Sequence, residues 1–187
     1  MRSELDRLYE QIEEIHTAMM TTRRRDGHLV SRAMANQKAA PGADLWFVTE
    51  KDSDKVREIQ ADPNVNLAYY KDRTREWVSV TGTARIVDDR AKIRVLYKPD
   101  WKAWFSEEGL PDDKRAGTPE DPRMVLIGVR AELATWMTVN KPQPLVLLDL
   151  VKGIVTGKEP NIGDVHSVDL GSTGGAPPRK GPPGTSS

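Results

Sequence analysis

The spacing of apolar residues is helical at the start of the chain and becomes alternating after residue 15. Apolar side chains first recur every three or four residues, at Leu5, Leu8, Ile12 and Ile15, which predicts an amphipathic helix. Ser3 lies just ahead of this stripe, and Asp6 follows it at the spacing of a capping box. We therefore predict one N-terminal helix that begins at Ser3.

Runs rich in β-forming residues follow, separated by turn signals such as Asp26-Gly27. They cover residues 16–22, 29–36, 45–49, 64–71, 76–87, 124–139 and 164–170, and the sixth is long enough for one bent strand or two. Within 76–87 the residues alternate strictly, with Val78, Val80 and Ala84 facing inward. Strands in mostly adjacent, hairpin-like order predict a small antiparallel barrel.

Helices are predicted between and after these strands. Residues 52–63 read as a short helix with Asp52 or Ser53 as its cap and Asp62-Pro63 at its end. Asp88 is the expected cap of a second helix that runs to Leu96, and residues 144–157 predict a third. Trp101, Trp104 and Phe105 lie at i, i+3 and i+4, which predicts an exposed one-sided aromatic cluster.

Composition limits the possible partners. The chain has 28 basic and 28 acidic residues, so its formal net charge is zero. Residues 171–187 form a Gly/Pro/Ser tail that carries two positive charges. Residues 1–170 therefore have a net charge of about −2. That balance argues against a nucleic acid or an anionic membrane as the main partner. The chain has no cysteine and three histidines without metal-ligand spacing, so no metal site is expected. The charged N-terminus and the lack of a long apolar stretch predict a cytoplasmic location.

One segment departs from an ordinary surface pattern. The run from Leu45 to Val56 passes from a strand through a turn into a helix, with Thr49, Ser53 and Lys55 near the join. A lysine in the first helical turn opposes the helix dipole, whereas an anion bound there would make the lysine favourable. Arg32, in the middle of a strand, is a possible second cation. These residues predict a phosphate site, and no catalytic triad, P-loop or dinucleotide motif accompanies it.

The same residues carry a resemblance to a known family. R-x-M at Arg32, L-W-F-x-T from Leu45, and S-x-K at Ser53 are similar to motifs of the pyridoxamine 5′-phosphate oxidase-like flavoproteins. D-P-N-V-N-L, V-S-V-T-G-T-A-R-I-V-D-D-R, K-A-W-F, E-D-P and A-E-L-A-T-W resemble the general stress protein subgroup in order. The resemblance covers residues 3–170. It implies a mainly β fold with flanking helices, a six- to seven-stranded antiparallel split β-barrel of the FMN-binding type.

The resemblance also implies which residues bind the cofactor. Arg32, Ser53 and Lys55 match ligands of the FMN phosphate, while Ala33, Met34, Phe47, Val48 and Thr49 match two strands that run along the flavin. Trp77 stands where the oxidases have a glutamine that reaches the flavin of the other subunit, and Trp136 matches a tryptophan near the dimer-related cofactor. Gln37 and Asp54 replace basic residues of the oxidases, which implies weaker binding of FMN. A homodimer with two FMN sites at its interface is expected, and the aromatic cluster at Trp101 is expected to be buried in that interface.

The implied reaction is left open. The expected function is that of an FMN-dependent oxidoreductase acting on an unknown small molecule, in which the cofactor supplies the chemistry and no side chain is assigned a catalytic role. One alternative is a stress protein that stores or senses flavin without turnover, and another is a reductase that uses FAD or the deazaflavin F420. The final strand V-H-S-V-D-L lacks the R-L-x-P pattern of the true oxidases, so oxidation of pyridoxamine 5′-phosphate is not expected.

Overall fold

The computed structural model describes residues 3–105, 117–139 and 163–171. The helices in these ranges are α1 (Glu4–Ile15), α2 (Asp54–Ala61), α3 (Arg90–Leu96) and α4 (Lys102–Phe105), with a 3-10 turn at Pro99–Trp101. The strands are β1 (Thr17–Arg23), β2 (Leu29–Ala35), β3 (Leu45–Glu50), β4 (Asn64–Lys71), β5 (Glu76–Val87), β6 (Met124–Thr138) and β7 (Asp164–Asp169). All seven predicted strands are confirmed, the sixth as one long strand. The helix predicted at 144–157 and residues 172–187 of the predicted tail lie outside the described residues.

The strands form one antiparallel sheet in the order β2-β1-β4-β5-β6-β3, with β7 also paired to β6. The mainly β split-barrel fold with flanking helices is thereby confirmed. The sheet does not close, because β2 and β3 each pair with a single strand among the described residues. Their free edges approach where the backbone N–H of Gln37 donates to the carbonyl of Trp46 at 2.8 Å.

The hairpin-like order predicted for β3 is wrong. β3 pairs with β6, with Phe47 opposite Ile127, and not with β2, which precedes it in sequence. Both faces of β3 are apolar, and Leu45, Trp46 and Phe47 are all buried. Its partner therefore has to lie deep in the fold, and the apolar first half of β6 meets that requirement.

A bulge at Thr81/Gly82 bends β5 against β6. Gly82 is required there, because a Cβ at this position would lie 2.0 Å from the carbonyl oxygen of Arg130. A bulge of this kind increases the local twist and helps a sheet to curl. The face predicted to be buried on β5 is confirmed, with Val78, Val80 and Ala84 in the interior.

The apolar side chains form two clusters. The larger fills the barrel beneath α1, and the smaller packs α3 and the segment 99–105 against β3 and β6. The predicted exposed aromatic cluster is wrong for two of its three members, since Trp101 and Phe105 are 2% and 3% exposed while Trp104 is 82% exposed. The 3-10 turn directs Trp101 inward, where its Nε1 donates to Gln37 Oε1 at 3.2 Å.

Side chains cap two of the helices. The capping box of Ser3 and Asp6 at the start of α1 is confirmed. Asp89, not the predicted Asp88, caps α3 by accepting from the N–H of Lys92, while Asp88 pairs with Arg90. Every helix in the described ranges is too short or too polar to cross a lipid bilayer.

Candidate functional site

Three polar side chains meet where β3 turns into α2. Lys55 Nζ donates to Thr49 Oγ1 at 2.9 Å, and Thr49 Oγ1 lies 3.3 Å from Ser53 Oγ. Ser53 occupies the N-cap position, but its hydroxyl donates to the carbonyl of Glu50 instead of accepting from the helix. The first backbone N–H groups of α2 consequently receive no side-chain cap from Ser53, and such groups are natural ligands for an anion. We call Thr49, Ser53 and Lys55 the cradle.

Lys55 is a half-buried cation. Among the residues that the structure describes, its ammonium forms no ion pair, and its hydrogen-bond partner is the neutral hydroxyl of Thr49. Burial, and to a lesser degree the positive charge of Arg32, lower the pKa of Lys55 below its ordinary value, although the carboxylates of Glu50, Asp54 and Glu58 act in the opposite direction. A half-buried positive charge of this kind is unfavourable in the unliganded protein, and a bound anion would stabilise it.

Arg32 lies next to the cradle but is held by a carboxylate. Arg32 Nη1 donates to Glu58 Oε2 at 2.8 Å, and Nη2 donates to Glu58 Oε1 at 3.1 Å. Thr22 Oγ1 donates to Glu58 Oε2 at 2.6 Å and accepts from Arg32 Nη1 at 2.9 Å. These bonds, that from Arg32 first, lower the pKa of the nearly buried Glu58. Arg32 therefore lies near Lys55 because it pairs with Glu58, which is on the same helix as Lys55. The prediction attributes this closeness to pairing between neighbouring strands, but β2 and β3 do not pair.

An open cleft of about 570 Å³ adjoins this arginine. Four arginines line it, Arg24, Arg25, Arg32 and Arg57, together with three carboxylates, Asp26, Asp54 and Glu58. Arg57 pairs with Asp54, which directs that carboxylate into an ion pair on the surface. The sequence left open whether Asp54 would crowd an anion, and the pairing neutralises its charge.

The predicted flavin-contacting residues on β2 and β3 border the opening of the sheet. Ala33 is exposed on the outer face, while Met34 and Phe47 are buried in the barrel core. Val48 packs partly against the smaller apolar cluster. The side chains of Met34 and Phe47 pack in the core. A ligand bound between the open edges of β2 and β3 would therefore contact the backbone of these strands.

The two tryptophans of the predicted site lie away from the cradle, at the far end of β5 and β6. Trp77 is partly exposed and sits opposite Met137, and Trp136 lies opposite Val78. Trp136 is 1% exposed and stacks on His166, with ring centroids 5.2 Å apart. The structure therefore brings together Arg32, Thr49, Ser53 and Lys55, and leaves the roles of Trp77 and Trp136 as predictions.

Sequence reasoning missed Glu58. A glutamate on a short, charged helix is usually a surface residue. One signal was available, because Glu58 follows Lys55 at i, i+3 and adjoins the buried Ile59, which places it on the inward side of α2.

The sheet order and the open edges define a split-barrel protein with flanking helices. The sequence model described as pyridoxamine 5′-phosphate oxidase like matches residues 3–161, and the chain belongs to that family. Protein bli-3 of Neurospora crassa is 36% identical over 153 residues, which is 81% of this chain and 72% of bli-3.

Solved structures have the same fold. A protein of Jannaschia sp. CCS1 described as general stress protein 26 matches with a TM-score of 0.65 and 20% identity, covering 89% of this chain and 98% of that one. A pyridoxamine 5′-phosphate oxidase-related, FMN binding protein of Nostoc punctiforme PCC 73102 matches with a TM-score of 0.57 and 15% identity, covering 90% and 96%. At these identities the likeness concerns the fold.

Proposed function

We propose that this protein binds FMN, with the phosphate in the cradle and the flavin along the open edges of β2 and β3. The observation that carries the proposal is the half-buried ammonium of Lys55, which donates to the hydroxyl of Thr49 and forms no ion pair among the described residues. A phosphate dianion would accept from Lys55, from the hydroxyls of Thr49 and Ser53, and from the first N–H groups of α2. The Nostoc relative is named as FMN binding, which agrees with this choice of ligand.

The residues present fit that group by their chemistry. The cradle offers an ammonium and two hydroxyls, and Arg32 adds the donors that Glu58 leaves free. A bound flavin would supply electron transfer, which the side chains of the site do not. The protein would fix the phosphate, present backbone groups to the ring and limit water. We therefore propose an FMN-dependent oxidoreductase of the general stress protein subgroup, located in the cytoplasm.

The direct test is a titration of purified protein with FMN, followed by flavin absorbance and fluorescence. Saturable binding supports the proposal, and the mass of a small molecule released on denaturation separates FMN from FAD or F420. Consumption of NAD(P)H in the presence of bound FMN would indicate an enzyme, whereas binding without turnover would indicate a storage or sensing protein. Failure to bind any flavin would overturn the proposed function.

We further propose that a second copy of this chain covers the outer face of the sheet. Two rows of cross-strand partners run over that face. The first row consists of Ala33, Met19, Ala68, Ser79, Thr135 and Ser167. The second row consists of Ser31, Thr21, Asn66, Thr81, Leu133 and Asp169. Asp169 is the one charged member of the two rows, in a chain of which 30% is charged. Met19 and Leu133 are 45% and 44% exposed on this face. Interface cores are depleted in charge in the same way.

The dimer is tested by light scattering after size-exclusion chromatography. Wild-type protein is expected to have twice the mass of the chain, and Ala68→Glu, at the centre of one row, is expected to shift it towards the monomer because it would bury an unpaired charge. Val95→Glu is the matched control, since Val95 is an exposed apolar residue on α3. A monomeric wild type, or equal behaviour of both variants, would contradict the assignment.

A further inference from the structure

Glu58 is the carboxylate that pairs with Arg32, one of the two predicted phosphate-binding cations. It accepts from both terminal nitrogens of Arg32 and lies one helical turn after Lys55. Its side chain is 9% exposed, against 26% for Arg32. The carboxylate is thus well shielded from water, and its charge acts on the neighbouring site with little screening.

The hydrogen bonds of Arg32 show what remains for a ligand. Both protons of Nη1 are engaged, by Glu58 and Thr22, and one proton of Nη2 is engaged by Glu58. The other Nη2 proton and the Nε proton have no recorded partner among the described residues. A phosphate can therefore reach one edge of the guanidinium, but it meets an arginine whose charge is already neutralised.

We propose that Glu58 is an affinity-setting residue, an internal anion that shares Arg32 with the FMN phosphate and keeps FMN binding weak. This inference rests on the proposed function. Lys55, Arg32 and Glu58 together carry one net positive charge, and a neutral residue in place of Glu58 would raise that to two. A phosphate dianion would gain from the change, while a ligand without a phosphate would not.

The experiment compares FMN with riboflavin, which lacks the phosphate, on wild type, Glu58→Gln and Glu58→Met. Glutamine retains a hydrogen-bond acceptor for Arg32, and methionine is an apolar replacement of similar size should the glutamine variant not fold. Glu14→Gln is the matched control, because Glu14 pairs with Lys71 at a distance from the cradle. Folding of each variant is checked by circular dichroism, and binding is measured at low and at high salt.

We expect FMN to bind about tenfold more tightly to Glu58→Gln than to wild type, and we expect salt to reduce this difference only slightly because the carboxylate is shielded from water. Riboflavin binding is expected to stay the same, and Glu14→Gln is expected to match wild type with both ligands. Unchanged or weaker FMN binding in a folded Glu58 variant, or an equal gain for riboflavin, would overturn the inference while leaving FMN binding intact. If no variant and no wild-type sample binds FMN, the proposed function fails and this inference fails with it.

Discussion

The ion pair between Arg32 and Glu58 should be a measurable source of stability in the flavin-free protein. Arg32→Ala would leave the carboxylate of Glu58, at 9% exposure, with the hydroxyl of Thr22 as its recorded partner. Removing one partner of a buried ion pair typically costs about 3–5 kcal/mol, because the remaining charge is uncompensated. Because the Arg32 side chain is 26% exposed, water can enter the space that it leaves. We therefore expect the free energy of unfolding to fall by about 2–3 kcal/mol, at or below the lower end of that range.

Removing Glu58 instead of Arg32 should lower the free energy of unfolding by less. Glu58→Ala leaves the more exposed partner, and the guanidinium of Arg32 can turn to water, so we expect a loss of about 1–2 kcal/mol. The double variant should be less destabilised than the sum of the single variants, with a coupling energy of about 1–2 kcal/mol.

Equilibrium unfolding in urea at neutral pH and fixed protein concentration measures these free energies. Arg23→Ala is the matched control, because Arg23 also belongs to the β1–β2 hairpin but its partner is the more exposed Asp62. Its loss is expected to stay below about 0.5 kcal/mol. The reasoning fails if Arg32→Ala unfolds like the control, or if the two single losses simply add in the double variant.

Two other predictions concern acid stability and the sheet. Because hydrogen bonds from Arg32 and Thr22 lower the folded pKa of Glu58 below 4.5, its stabilising contribution is present above that pH and is lost as the pH falls through the folded pKa. Wild type should therefore lose more unfolding free energy than Glu58→Gln between neutral pH and about pH 3, and equal losses would contradict the assignment. Gly82→Ala should cost about 3 kcal/mol or more in urea unfolding, because the new Cβ would meet a backbone carbonyl at 2.0 Å, whereas Gly27→Ala, with open space but a φ of +88°, should cost about 1–2 kcal/mol. Equal losses for the two glycines would contradict the proposed steric role of Gly82.

The elements of the fold were largely predictable because their signals are local. The strands follow from alternation and turn residues, and the start of α1 follows from Ser3 and Asp6 within a single turn. The partner of β3 was not predictable in this way. It lies about eighty residues away on β6, and local hairpin spacing favoured β2 instead. The burial of Trp101 has a related cause, since its cluster combines the nearby Tyr97 with residues from distant segments such as Trp46 and Met124.

In the candidate site, too, the local contacts were predictable from the sequence and the long-range contact was not. Thr49, Ser53 and Lys55 lie within seven residues, and their contacts were anticipated from the strand-turn-helix pattern. The Arg32–Glu58 pair joins residues 26 positions apart on elements that are not neighbours in the chain. Composition gave no indication of it, because each residue alone has the character of an ordinary surface residue.

The central claim, that the cradle binds the phosphate of FMN through Lys55, is tested most directly with one variant and two ligands. Lys55→Met removes the charge but preserves the length of the side chain, and Lys71→Met is the control because Lys71 pairs with Glu14 instead. We expect wild type and the control to bind FMN at least about tenfold more tightly than riboflavin, and Lys55→Met to lose most of this preference while its affinity for riboflavin stays that of wild type. Equal affinity of wild type for the two ligands, or an undiminished preference for FMN in Lys55→Met, would contradict the claim.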